Sequence, residues 1–197
     1  MMEPLKGKEF EALILFRASK LEETKLLSLC RYGVQAMMIK NPATGALETK
    51  TIPSLPDFDG CIAPDGRQLI IEAKVCSQSS YSILSNDKKH PKQLDHMLLR
   101  SEFGALCYLL IHFNGRVLVR QTIEPVTYAI MVRHDSHFWR MYQAGQVKSI
   151  AREDAALWGI EVPWNLWSTR ASKFTPDLSV LIPKYTPPAE NLILERP

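Results

Sequence analysis

Apolar side chains recur at helical spacing from Gly7 to Gly33, at Phe10, Leu13, Ile14, Leu21, Leu26 and Leu29, with charges between them. This predicts one long helix stopping at Gly33, or two with a break near Ser19. The pattern then changes to period two. Ala36 to Lys40 reads as a first strand, Asn41-Pro42-Ala43-Thr44-Gly45 as a turn, and Glu48 to Ile52 as a short second strand. Two further β runs, Asp57 to Ala63 and Gln68 to Val75, are joined by Pro64-Asp65-Gly66 and predict a hairpin. A polar segment from Cys76 to His90 precedes a helix over Lys92 to Glu102, with Pro91 where a first helical turn tolerates proline. Ala105 to Phe113 is almost wholly apolar, and Arg116 to Gln121 is its predicted partner across Asn114-Gly115. A helical patch around Trp139 follows, then a short helix over Arg152 to Trp158, proline-punctuated loop, and a last β run at Leu178 to Ile182. The order predicts an α/β fold with a central mixed β-sheet flanked by helices. Residues 1–183 form a single domain on this reading, and 184–197, with Pro187, Pro188 and Pro197, an extended or disordered arm.

Composition narrows the class. The 197 residues are 46% hydrophobic and 23% charged, enough for one core without disulfides or a structural metal. There is no apolar run of about 18 residues and no basic-apolar-small N-terminal pattern, which argues against a membrane span and a signal peptide and predicts a soluble, cytoplasmic protein. Lys plus Arg number 24 against 21 for Asp plus Glu; the net charge of +3 permits an anionic partner without demanding one. Cys30, Cys61, Cys76 and Cys107 are scattered, with no CxxC pair, and read as reduced core cysteines rather than a disulfide or zinc set.

The informative spacing is Asp57, then 14 residues, then Glu72-Ala73-Lys74. In a strand Glu72 and Lys74 project to one face while Ile71, Ala73 and Val75 face the other, and a hairpin partner can bring Asp57 alongside Glu72. Two adjacent carboxylates repel unless a cation lies between them, and hard oxygen ligands suit Mg²⁺ or Mn²⁺. A lysine beside such a cation can orient or deprotonate a water, which fits phosphodiester hydrolysis better than acyl transfer. The alternative is a surface ion pair on a hairpin, but Glu72 and Lys74 interrupt a strand that otherwise reads as buried, where an unpaired charge is costly.

Pro56-Asp57…Glu72-Ala73-Lys74 resembles the PD-(D/E)xK nuclease signature, and the order helix, strand, hairpin, helix, strand is similar to that fold's core. Within it, the chain resembles the RecU-type Holliday junction resolvases of bacteria and their phages. The likeness rests on Asp57-Phe58-Asp59-Gly60, Ile71-Glu72-Ala73-Lys74, Lys92-Gln93-Leu94-Asp95-His96-Met97, Gly104 to Leu110, Gly145 to Ile150 and Gly159-Ile160-Glu161-Val162-Pro163, in the family's order. It implies that Asp57 and Glu72 ligate the metal, that Lys74 serves the attacking water and that Gln93 lines the site. It also implies a glutamate from the first helix, best matched by Glu11, with Glu9, Glu22 and Glu23 as substitutes. The family's long stalk before the catalytic aspartate has only 16 residues here between Lys40 and Asp57, so a short stalk is expected.

Lys88, Lys89, Lys92 and Arg100 follow the catalytic strand and form a candidate phosphate-contact face, against a solvated helix flank. Lys148 and Arg152 are further candidates, with Arg170 and Lys173 near them and Arg17 and Lys20 weaker. Trp164 and Trp167 read as core or interface, His134 and His137 as a solvated pair, and Pro176-Asp177 as a chance repeat or part of the last strand. The resemblance implies a Mg²⁺-dependent endonuclease, with Mn²⁺ as a possible substitute, that resolves branched DNA in recombination and repair. It also implies 5′-phosphate and 3′-hydroxyl ends and a homodimer in a bacterial cell or phage-infected host. The alternatives are a less structure-selective phage or restriction-type endonuclease and an inactive DNA-binding module.

Overall fold

The computed structural model describes residues 4–32, 36–40, 42–51, 55–83, 89–117, 119, 121–168 and 173–183. Helix α1 (Gly7–Glu23) places Phe10, Ile14, Arg17, Ala18 and Leu21 on one buried stripe. It ends earlier than the periodicity predicts. Lys25 adopts a left-handed conformation (φ 57°), Leu26 N donates to Leu21 O and Lys25 N to Glu22 O, which closes the helix in a C-capping turn. The apolar residues beyond it enter strand β1 (Leu27–Arg31), so Leu29 and Cys30 are strand residues and not helical; Gly33 lies outside the described residues.

Strands β2 (Ala36–Lys40) and β3 (Leu47–Thr51) form the expected hairpin, and among the described residues they pair only with each other. Strands β4 (Phe58–Ile62) and β5 (Arg67–Cys76) form the second, around Gly66, whose φ of 70° suits glycine. Then come β6 (Ser80–Ser82), α2 (Lys89–Glu102) and β7 (Leu106–Phe113), which returns parallel to β5 through the α2 crossover. Among the described residues the expected partner of β7 over Arg116–Gln121 is not formed. Two short strands, β8 (Arg116–Val117) and β9 (Thr122–Ile123), pair with each other, and β10 (Val126–Met131), unforeseen in the sequence, lies antiparallel to β7.

Helix α3 (His137–Gln143), β11 (Ser149–Ala151), α4 (Arg152–Trp158) and β12 (Gly159–Glu161) follow, then a hairpin of β13 (Trp164–Ser168) and β14 (Lys173–Pro176). Leu178–Leu181 is a 3₁₀ turn rather than a strand, because the Asp177 side chain caps Ser179 N and turns the chain. The predicted arm at 184–197 lies outside the described residues.

The main sheet is mixed, in the order β1-β4-β5-β7-β10-β12. Helix α1 and the 3₁₀ turn cover one face, packing Phe10, Ile14 and Leu178 against Phe58, Leu69, Ile71, Tyr108 and Leu110. The other face carries Ile70, Cys107, Leu109 and Ile111 beneath Leu94 and Met97 of α2 and Phe138 and Trp139 of α3. Burying each of these large side chains stabilises the fold by about 1.5–3 kcal/mol. Strand alternation therefore gives β5 two different faces: Leu69, Ile71 and Ala73 toward α1, and Ile70 and Cys76 with Glu72 toward α2. Cys76 and Cys107 are core cysteines as expected, whereas Cys30 and Cys61 are exposed, because β1 and β4 are uncovered where those side chains point. Among the described residues no helix is long and apolar enough to cross a membrane.

Candidate active site

The β4–β5 register pairs Phe58 with Ile71 and Asp59 with Ile70, so its next step puts Asp57 opposite Glu72. Two reciprocal hydrogen bonds fix that pairing: Asp57 N donates to Glu72 Oε2 (3.1 Å) and Ala73 N donates to Asp57 Oδ2 (2.9 Å). Gly60, opposite Leu29, explains how β1 can approach β4, since a Cβ on it would lie 2.0 Å from Ser28 O.

Glu72 is 0% exposed. Its Oε1 forms an ion pair with Lys74 Nζ, two residues along the same strand face, and its Oε2 also accepts from Gln93 Nε2 (3.0 Å), which donates to Leu55 O as well (3.2 Å). Gln93 is placed there because α2 crosses β5 antiparallel: Gln93 and Arg100, seven residues apart on the helix, bond Glu72 and Gln68, four apart on the strand. Burial pushes the Glu72 carboxyl up to about 7; the Lys74 charge opposes this, and the Asp57 carboxylate adds to it. Asp57 and Glu72 are the carboxylates that could hold a cation here. A carboxylate whose charged form burial disfavours, set beside a second carboxylate, is relieved by a hard divalent ion, which binds one or two carboxylates and keeps several waters.

The expected first-helix glutamate does not join them. Glu11 forms an ion pair with Arg31 on β1, on an α1 that covers the opposite face of the sheet. Glu9 caps α1 through Lys6 N, Glu22 accepts from Ser28 Oγ, and Glu23 pairs with Lys20. Among the described residues no three His, Cys, Asp or Glu side chains converge as a metal cage.

The candidate phosphate contacts divide. Lys92 is exposed on α2 and Lys148 is exposed beside β11; Lys88 and the Lys89 side chain lie outside the described residues, as do Arg170 and the side chains of Trp167 and Lys173. Arg100 donates to Gln68 Oε1 from Nε (3.1 Å) and Nη2 (2.5 Å), and Arg152 Nη1 donates to Glu124 O (2.6 Å). Arg17 is not a surface cation: it is buried, and Nη2 donates to Asp177 Oδ1 at 2.9 Å. Asp177 is thus a structural counter-charge and cap. Trp164 packs on Phe10 and His112, and its Nε1 donates to Thr127 Oγ1. His134 bonds Glu102 and His137 faces Trp158, and among the described residues they belong to no cluster of three possible metal ligands.

One set of residues went unassigned in the sequence. Asp59 sits two residues beyond Asp57 and accepts from Tyr32 Oη (2.6 Å) and Gln68 Nε2 (2.9 Å), while Tyr32 N donates to Asp57 O (2.9 Å). The chain Arg100, Gln68, Asp59, Tyr32 therefore ties α2 to the strand end that carries Asp57. The sequence signals for Asp59 are its period-two offset from Asp57 and its place in the Asp57-Phe58-Asp59-Gly60 block.

No family model matches the chain, and no curated protein matches it. Among solved structures it is similar to that of Archaeoglobus fulgidus Hjc, a Holliday junction resolvase from an archaeal hyperthermophile. The TM-score is 0.44 and the identity 18%, over 79% of this chain and 95% of that one.

Proposed function

We propose that this chain is a divalent-metal-dependent endonuclease of the PD-(D/E)xK type, RecU-like in its preference for branched DNA, that works as a homodimer in recombination and repair. The observation that carries the reading is the fully buried Glu72 set against Asp57, with Lys74 on the same strand face and Gln93 above it. Asp57 and Glu72 would hold Mg²⁺ or, as a substitute, Mn²⁺. When bound, the ion polarises the phosphodiester and offsets the charge that develops on it.

The side chains have separable tasks. Gln93 and the Asp57 amide fix Glu72 Oε2, so the carboxylate cannot rotate away. Lys74 orients the attacking water and faces the growing negative charge on the phosphoryl oxygens. Water oxygen bonds to phosphorus as the bond to the 3′ oxygen breaks in line, which leaves a 5′-phosphate and a 3′-hydroxyl.

Branched substrates are favoured by the β2–β3 hairpin. It stands just before Asp57, pairs with no strand of the main sheet among the described residues, and carries exposed Met38, Lys40 and Leu47. Five residues of strand reach about 17 Å, enough to enter the opening between duplex arms. Its brevity also supports a second reading, an endonuclease less selective for structure. Cleavage of a labelled four-way junction and of matching linear duplex, with Mg²⁺ and with chelator, tests both. Paired nicks in the junction alone are expected; equal cutting of both supports the second reading; no cutting of any DNA by pure protein with Mg²⁺ or Mn²⁺ rejects the nuclease.

A further inference from the structure

Asp59 shares the β4 face of Asp57, yet its carboxylate is committed elsewhere. Oδ2 accepts from Tyr32 Oη (2.6 Å) and from Gln68 Nε2 (2.9 Å), and Oδ1 accepts from the same Gln68 nitrogen (2.9 Å). Gln68 Oε1 in turn accepts from Arg100 Nε and Nη2, which fixes the amide with its nitrogen toward Asp59. Asp59 is thus anchored to α2 on one side, and on the other it grips a single phenol.

That phenol belongs to the residue facing Asp57. The β1–β4 register, from Leu27 with Ile62 to Arg31 with Phe58, continues one step past the strands: Tyr32 comes opposite Asp57, and Tyr32 N donates to Asp57 O (2.9 Å). Asp59 is then the diagonal neighbour of Tyr32, a separation an aromatic side chain spans. Asp57 is held along both edges, on the β5 side by Glu72 Oε2 and Ala73 N and on the β1 side by Tyr32. The Tyr32–Asp59 bond is not needed to join the strands. Five register pairs already do so, and Gly60 lets them close up; the extra bond sits at the Asp57 end, where the last rung of a ladder is the one most prone to open.

Resting on the nuclease reading, we infer that Asp59 is a positioning residue for the metal site: through Tyr32 it fixes the backbone of Asp57, and with it the carboxylate that would hold the divalent ion. Asp59 itself touches neither ion nor DNA. Its contribution is preorganisation, since a ligand whose supporting bonds are lost weakens metal binding before it weakens the fold.

The test uses the full chain with Asp59→Ala and with Tyr32→Phe, which removes one oxygen and keeps the ring and the amide. In the metal-free protein, amide exchange followed by NMR should quicken about 3–10-fold at residue 32 and at Ala73, whose amide bonds Asp57 Oδ2, and keep its wild-type rate at Leu109 in the core. Titration calorimetry should show Mn²⁺ binding weakened about 3–10-fold in Tyr32→Phe and about 10-fold in Asp59→Ala, with no further loss in the double variant, because both act through one bond. A merely structural bond would quicken all three amides alike and leave the Mn²⁺ affinity of the folded chain unchanged, which overturns the inference. If Asp59→Ala does not fold, Tyr32→Phe decides alone. A folded Tyr32→Phe with wild-type Mn²⁺ affinity and wild-type exchange at Ala73, in a chain that binds Mn²⁺ and cuts DNA, overturns this inference and leaves the nuclease reading standing. A wild type that neither binds Mn²⁺ nor cuts DNA overturns both.

Discussion

Two acids on opposite faces of the sheet, Asp177 half-buried and Glu72 fully buried, have opposite environments. On the α1 face, Asp177 is saturated: Oδ1 accepts from Arg17 Nη2, Ser179 N and Ser179 Oγ, and Oδ2 from Asn165 Nδ2. Burial pushes its pKa up, but the bonds from Ser179 and Arg17 outweigh that and hold it below the ordinary carboxylate value. On the α2 face, Glu72 is more deeply buried, and one lysine does not offset its desolvation and the neighbouring Asp57, so its pKa rises to about 7. An acid that is fully paired holds parts of the fold together. One left under-compensated beside a second acid is poised for a cation, and such frustration is where function resides.

The sharpest break of this comparison is in activity. Lys74→Ala should lower Mg²⁺-dependent DNA cleavage by about 10²–10⁴-fold, and Glu72→Gln by at least as much, in single-turnover assays. Asp177→Ala should leave cleavage per folded molecule near wild type while destabilising the chain by about 3–5 kcal/mol in urea unfolding, because it removes the carboxylate that faces the buried Arg17 and that accepts from Ser179 and Asn165. Loss below about 1 kcal/mol would make that pair a surface one.

Next in size is the effect of pH on stability. The folded pKa of Glu72 lies above its unfolded one, so between about 4.5 and 7 the folded chain binds the extra proton, and stability falls as pH rises through that window. Glu72→Gln should therefore be more stable than metal-free wild type at pH 8, by about 1–3 kcal/mol, with the gap closing at pH 4. Asp177 runs the other way: its contribution is present above the unfolded carboxylate pKa and is lost as pH falls through its lowered folded value. The smallest effect is expected from Gln93→Ala, which frees Glu72 Oε2 and should weaken Mn²⁺ binding about 10-fold by titration calorimetry.

The α2 face was the more legible of the two in the sequence. Asp57, Glu72 and Lys74 obey strand alternation across one tight hairpin, and Gln93 lies on the helix that must cross it. The α1 face depends on contacts distant in sequence. Arg17 meets Asp177 across 160 positions, and nothing local marks either as paired. Strand β10 was hidden because Asn114-Gly115 reads as a two-residue turn, whereas Gly115 packs against Ile123 and Pro125 and delays the return of the chain. Leu178 and Leu181, spaced three apart, suit a 3₁₀ turn, but only the Asp177 cap decides between that and a strand.

The most direct measurement is Mn²⁺ binding by titration calorimetry at pH 6 and pH 8, for wild type and Glu72→Gln. If Glu72 is held protonated for want of a cation, wild type should bind more tightly at pH 8, release protons on binding at pH 6, and lose both properties in the variant. Equal binding by the two proteins, or none by either, would contradict the account.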